Sequence, residues 1–238
     1  MDPPDTAEHF ADVLLELTDT LGEEFDTAGL LHHLATACTQ LLDVDAAGVL
    51  LLAEDGRLVP VAATDVIIDR LGHLEAETGA GPGLESVRAR KCVNCPDLGR
   101  EDERWSLFAR QAHGKGFRAV HAVPMCLHSD VVGGLLLFSQ RPGMLSDVDR
   151  RTVGQLAAAA ATGLVHRREV HHLETVNGQL RQALTSRIAI EQAKGFLIAR
   201  LDLAPEAAFV LLRAYSRRTR QRLTNVAEAV VNQRIELN

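Results

Sequence analysis

From Asp147 to Ala204 the chain runs without a proline and is dominated by helix-forming residues. Such a stretch reads as one long helix, because an internal proline would remove a hydrogen bond and clash with the preceding turn. All strand-like periodicity lies before it, and only helical periodicity lies after it. The chain therefore divides into a strand-containing N-terminal part, a helical middle and a short helical tail.

The N-terminal part opens with Phe10, Val13, Leu14, Leu17 and Leu21 at helical spacing. A second helix is expected over residues 27–42, with Leu30, Leu31, Leu34, Cys38, Leu41 and Leu42 apolar. The period then changes. Ala47–Ala53, the turn Glu54-Asp55-Gly56 and Arg57–Thr64 read as a hairpin. Residues 79–83 read as a loop, residues 84–90 as one or two helical turns and residues 104–114 as a helix. Phe117–Leu127 and Val131–Gln140 form a second expected hairpin, joined by His128-Ser129-Asp130, and Val131–Phe138 is apolar enough for a central strand. Antiparallel strands with helices gathered on one side predict an α+β domain over residues 1–165.

Net charge alone misleads. The 238 residues sum to −7, an ordinary acidic balance that argues against nucleic acid. Residues 179–238, however, hold ten basic and five acidic side chains, or +5, against −12 for the remainder. That asymmetry points to two modules with different partners. The 46% hydrophobic content excludes a disordered or collagen-like chain. The acidic, polar start MDPPDTAEHF shows no secretory signal. Leu156–Val165, the longest nearly apolar run, is too short for a membrane span. A cytoplasmic protein without membrane contact is therefore expected, with its four cysteines as free thiols.

Residues 166–179 are expected to be a helical linker. Leu173, Val176, Leu180 and Ala183 follow the 3-4 spacing of a coiled-coil seam, continued by Arg187 and Ile190. The alternatives are a dimeric coiled coil and a helix packed on its own domain. Gly178 is a candidate bend. Residues 180–238 then read as three helices. Pro205 suits the first turn of the second, and Thr224 is a good N-cap type for the third.

Two family resemblances emerge from these residues. The early hairpin, Gly81-Pro82-Gly83, Cys95-Pro96-Asp97-Leu98, Arg104-Trp105 and Val132–Phe138 with Pro142, Leu145, Asp147 and Asp149 resemble the GAF family of sensory modules over residues 10–165. The run Ser186–Leu197, with Glu191-Gln192-Ala193-Lys194-Gly195, resembles the ANTAR domain. So do Ala207-Ala208-Phe209, Leu211-Leu212-Arg213, Ser216, Leu223 and Val226-Ala227, giving a match over residues 180–232. ANTAR domains are three-helix RNA-binding modules of bacterial antitermination regulators, and a GAF-like module ahead of one is a known arrangement, especially in actinobacteria. The resemblance implies a sensor whose dimer grips paired stem-loops in a nascent mRNA leader and blocks terminator formation. It also implies an unidentified small-molecule ligand for the sensory module.

The RNA-binding residues expected on this reading are Arg187, Lys194, Gly195, Arg213, Ser216, Arg217, Arg220 and Arg222. Lys194 lies in the most family-specific block. Gly195 serves either backbone access or helix packing. Arg213, Arg217 and Arg220 share one face if their helix persists, and Arg218 and Arg222 lie beside them. No acidic residue occurs between Glu206 and Glu228, so the patch can supply salt-dependent affinity. Arg220 stands where the family often has an asparagine, which favours phosphate over base contact. Tyr215 is either a base-stacking or a buried aromatic.

No enzyme is expected. The chain has no P-loop, no G-x-S-x-G, no G-x-G-x-x-G and no H-E-x-x-H. Cys92 and Cys95 form a lone C-x-x-C, open to a redox, metal or purely structural reading, and no cofactor or metal is expected. Two alternatives stay open. One is a DNA-binding regulator with a helix-turn-helix-like tail. The other is a ligand or redox sensor acting through protein contacts.

Overall fold

The computed structural model describes residues 3–18, 26–100, 104–235 and 237. Two helices precede the first strand: α1 (Pro3–Thr18) and α2 (Thr27–Leu41). Leu21, assigned to the first helix on its spacing, lies outside the described residues. Asp26 caps α2 by accepting the Ala28 N–H at 3.0 Å. The first hairpin follows as β1 (Ala46–Leu52) and β2 (Leu58–Ala63).

The next element escaped the sequence reading. Helix α3 (Val66–Thr78) fills the segment between that hairpin and the glycine-rich loop. Its start is capped by Asp65, which accepts from the Ile67 and Ile68 N–H groups at 2.7 and 3.0 Å. Gly79 ends it at φ 64°, a left-handed position suited to glycine. Helix α4 (Pro82–Ala89) then begins on Pro82, whose missing N–H costs nothing in a first turn. Strand β3 (Val93–Cys95), helix α5 (Ser106–Gly114), strands β4 (Ala119–Leu127) and β5 (Asp130–Ser139), and the long helix α6 (Asp147–Leu201) complete this part. Helix α6 runs through Gly178 without interruption.

The five strands form one sheet in the order β2-β1-β5-β4-β3, antiparallel throughout. Strand β5 is central and is buried without a break from Val132 to Phe138. Side chains alternate across the sheet. Ala47, Val49, Leu135 and Leu137 join one core with Leu17, Leu34 and Cys38 of α1 and α2 and with Val153, Leu156 and Leu164 of α6. Ala46, Leu50, Leu136 and Phe138 join a second core with Ile68, Leu71, Leu84, Val87, Trp105 and Phe108. Helices therefore cover both faces, not one as the strand and helix order suggested. The unread helix α3 belongs to the second face.

Close approach of β1 and β5 depends on Gly133. A Cβ there would lie 2.1 Å from the Leu50 carbonyl oxygen, closer than any side chain tolerates. At the mouth of the second core, Trp105 Nε1 donates to Glu85 Oε2 at 3.0 Å, and the Arg104 guanidinium stacks over the Trp105 ring at 4.4 Å.

Beneath the glycine-rich loop lies Glu75, fully buried. Its Oε1 accepts the Leu84 N–H, so an internal carboxyl caps the start of α4. Its Oε2 has no hydrogen-bond partner among the described residues, leaving one atom to carry a proton. Gly81 and Gly83 make room for it, since a Cβ on Gly81 would fall 2.4 Å from the Glu75 carboxyl carbon. Burial pushes Glu75 up to about 7, outweighing the N–H groups of Leu84 and Gly83 that pull it down. The folded state thus holds this proton more tightly than the unfolded chain does. Stability should be greatest below the unfolded value of 4.5 and should fall as pH rises to 7, by about 3 kcal/mol. Urea unfolding at pH 5 and pH 8 should show that loss, and Glu75→Gln should remove it.

Candidate nucleic-acid interface

Contacts divide the chain into two compact units, Met1–Glu169 and Val170–Asn238. The second holds the end of α6 with α7 (Pro205–Thr219) and α8 (Leu223–Val231). Their shared core is Ala189, Ala193 and Leu197 from α6, Ala208 and Leu212 from α7, and Val226, Ala227 and Val230 from α8. Four of these are alanines, which let the helix backbones approach closely. Ile190 packs against this core and does not extend the apolar seam of the linker.

Two tight turns shape the unit. Asp202 (φ 52°) ends α6 and Arg220 (φ 56°) ends α7, both in the left-handed region. Arg220 therefore leaves the face shared by Arg213 and Arg217, because α7 stops at Thr219. The Ser216 hydroxyl donates to the Gln221 carbonyl at 2.7 Å and ties down the turn of residues 220–222. Helix α8 starts at Leu223 with Arg222 at its N-cap, two residues before Thr224, the N-cap type expected from sequence. The Thr224 hydroxyl instead donates to Ser186 Oγ at 3.1 Å. That bond joins α8 to α6.

The basic groups differ in their environment. Arg187, Arg213, Arg217, Arg220 and Arg222 are exposed and form no ion pair among the described residues. Arg217 and Arg218 lie in the last turn of α7, where cations complement the helix dipole. Arg218 sits over the ring of Tyr215 at 5.1 Å, and Tyr215 packs on the core, so its ring is already engaged. Lys194 is only 20% exposed, and its Nζ donates to Glu191 at 2.9 and 3.0 Å. Arg187, Glu191 and Lys194 follow the i, i+4, i+7 spacing of one helix face. Glu191 thus partly neutralises the lysine, a role invisible in a count of charges.

Gly195 resolves between its two readings. Beyond its own helix backbone, no atom of the described residues lies within 4 Å of where its Cβ would stand, so it packs against none of them. It leaves an exposed opening in the helix surface beside Lys194.

The two cysteines of the C-x-x-C motif do not pair. Cys92 is exposed while Cys95 is buried. Extended chain separates them by about 10 Å and points them to opposite sides, beyond the roughly 7 Å Cα limit of a disulfide. Burial pushes the Cys38 thiol up to about 12, which leaves it unreactive. His121 is buried, with Nδ1 2.9 Å from Asn94 Oδ1, and burial lowers its pKa. No described group of three or more His, Cys, Asp and Glu is placed to hold a metal ion. Among the described residues no helix is long and apolar enough to cross a membrane.

Comparison with known proteins follows the same division. A GAF domain family model matches residues 26–165, and an ANTAR domain model matches residues 178–231. The first unit is similar in fold to the GAF domain of an Acinetobacter phosphoenolpyruvate-protein phosphotransferase, with TM-score 0.57 and 16% identity over 71% of this chain and 98% of that one. The corresponding GAF domain from Coxiella burnetii gives TM-score 0.54 and 15% identity over 70% and 98%. A GAF domain/HD domain protein from Geobacter sulfurreducens gives 0.51 and 18% over 65% and 97%. Identities this low speak for fold alone. No curated protein matches the chain.

Three substitutions probe this surface and the helix that leads to it. Glu191→Gln should release Lys194 and steepen the salt dependence of polyanion binding by about one released counterion, read as the slope of log affinity against log salt. Gly195→Ala and Gly178→Ala, both with open space at Cβ, should each raise thermal stability, by up to about 1 kcal/mol.

Proposed function

The chain belongs to the GAF domain family and carries an ANTAR domain, and from that premise we propose a signal-responsive antitermination regulator that binds paired stem-loops in a nascent mRNA leader. GAF domains are sensors and ANTAR domains are RNA-binding antitermination modules, so the chain is regulatory rather than catalytic. Its work on nascent RNA would be cytoplasmic. The observation that carries the proposal is the opening at Gly195 beside Lys194, in a unit where the exposed Arg187, Arg213, Arg217, Arg220 and Arg222 form no ion pair among the described residues.

Unpaired loop bases offer edges and faces that duplex RNA hides, and basic groups hold the flanking phosphates. Lys194 and Gly195 are assigned to the loop, with Gly195 admitting a base or sugar against the helix backbone. Arg187, Arg213, Arg217, Arg220 and Arg222 are assigned to phosphates. Ser216 acts by fixing the turn that presents Arg220 and Arg222.

Pairing of two loops calls for two copies. Leu173, Leu180, Leu184 and Ile188 are 65%, 65%, 61% and 49% exposed. They recur along one stripe of α6, continuing at Leu184 and Ile188 where Ala183 and Ile190 had been expected. A parallel copy of the same helix would cover them. Joining two weak RNA sites in this way raises avidity about 10²–10⁴-fold, so control of the helix pairing would control RNA capture.

The DNA-binding reading is less well supported. Helix α8 follows a three-residue turn, as a recognition helix would, but carries no basic side chain and one acid, Glu228. It lacks the charge that a major-groove helix needs.

Binding to an RNA with two hexanucleotide loops provides the test. Lys194→Ala and Arg213→Ala should each weaken binding about tenfold or more, and Gly195→Ala should weaken it despite added stability, whereas Gly178→Ala should not. Unchanged affinity and salt slope in the lysine and arginine variants would refute the interface. Leu180→Asp with Leu184→Asp should give a folded monomer by sedimentation and lower affinity for the two-loop RNA but not for a single loop. Preference for duplex DNA would favour the helix-turn-helix alternative, and absence of any nucleic-acid binding would favour a sensor working through protein contacts.

A further inference from the structure

At one end of the sheet, within the first unit, lies a groove of ≈ 720 Å³. It is bounded by the β4–β5 turn, the end of β1, the last turn of α4 and the α6 residues 165–169. Leu84, Val131 and Val165 give it an apolar floor. Arg88 and Arg90, from the last turn and the left-handed C-cap of α4, and Arg168, from α6, line it.

None of these three guanidinium groups forms an ion pair among the described residues. Asp130 and Glu169 also line the groove, yet neither lies within salt-bridge distance of them. Exposed guanidinium groups without carboxylate partners, on the lining of a groove with an apolar floor, can hold an anion beside a hydrophobic seat. The volume falls within the 300–1,000 Å³ range of small-molecule sites. Elsewhere in this unit the space between the sheet and α3–α5 is taken up by Ile68, Leu71, Trp105, Phe108 and Phe138.

We propose that this groove binds a small organic anion, a phosphate monoester or carboxylate on an apolar body. The anion is held by Arg88, Arg90 and Arg168, and the body lies on Leu84, Val131 and Val165. The ligand touches α6 through Arg168, two residues before Val170, where the second unit begins. It therefore bears on the helix that continues into the RNA-binding unit. This deepens the sensory part of the proposed function and is independent of RNA.

Calorimetric titration of the full chain with octyl phosphate, below its micelle concentration and without RNA, tests the site. One ligand per chain is expected, with octanol and inorganic phosphate each binding at least tenfold more weakly. Arg168→Gln and Arg88→Gln should each cost about tenfold in affinity, while Arg70→Gln on α3, outside the groove, should cost nothing. Equal binding of octanol, equal binding by the two groove variants, or binding only to phosphatidic acid vesicles would overturn the proposal. Lys194→Ala should leave this titration unchanged, so loss of RNA binding and loss of ligand binding can be told apart.

Discussion

Burial of β5 on both faces is the constraint from which the first unit follows. A central strand with no polar alternation needs a cover on each side, and two separate sets of helices supply it. Helix α6 is one of those covers. Its early turns, through Val153, Leu156 and Leu164, are part of the sensory core, and its late turns, through Ala189, Ala193 and Leu197, are part of the second core. Neither unit can be complete without its share of the same helix. Between those shares, nearly every residue from His171 to Ile188 is exposed.

Electrostatics in the second unit are more selective than its +5 sum implies. Exposed arginines without acidic partners offer a long-range attraction to any polyanion. Lys194 is different, because Glu191 must be displaced before the ammonium is available. Arg187, Arg213, Arg217, Arg220 and Arg222 thus differ from Lys194, whose ammonium is already engaged by a carboxylate.

Much of this was legible in sequence, for stated physical reasons. Unbroken apolar residues from Val132 to Phe138 marked the central strand, and absence of proline marked α6. The Glu191–Gly195 block marked the output domain. Helix α3 was missed although its signals were present: Asp65 as cap, Ile68 and Leu71 at helical spacing and Gly79 as stop. A valine- and isoleucine-rich start beside a hairpin disguised it. The face containing Arg220 was misjudged because a left-handed arginine has no sequence signature, unlike a glycine. Ion pairing between Glu191 and Lys194 was implicit in their i, i+3 spacing. The Ser186–Thr224 bond, 38 residues apart in sequence, had no local signal at all. Nor could sequence assemble Arg88, Arg90 and Arg168 around one groove.

Trp105 has a consequence of another kind. The chain contains one tryptophan and one tyrosine, and the two fall in different units. Trp105 sits at the mouth of the sensory core between Glu85 and Arg104, while Tyr215 packs on the three-helix core beneath Arg218. Light absorbed at the red edge of the aromatic band excites the indole alone, so its emission reports on the sensory unit without any added label. The phenol signal belongs to the other unit. The protein thus carries two native optical reporters, one for each of its halves.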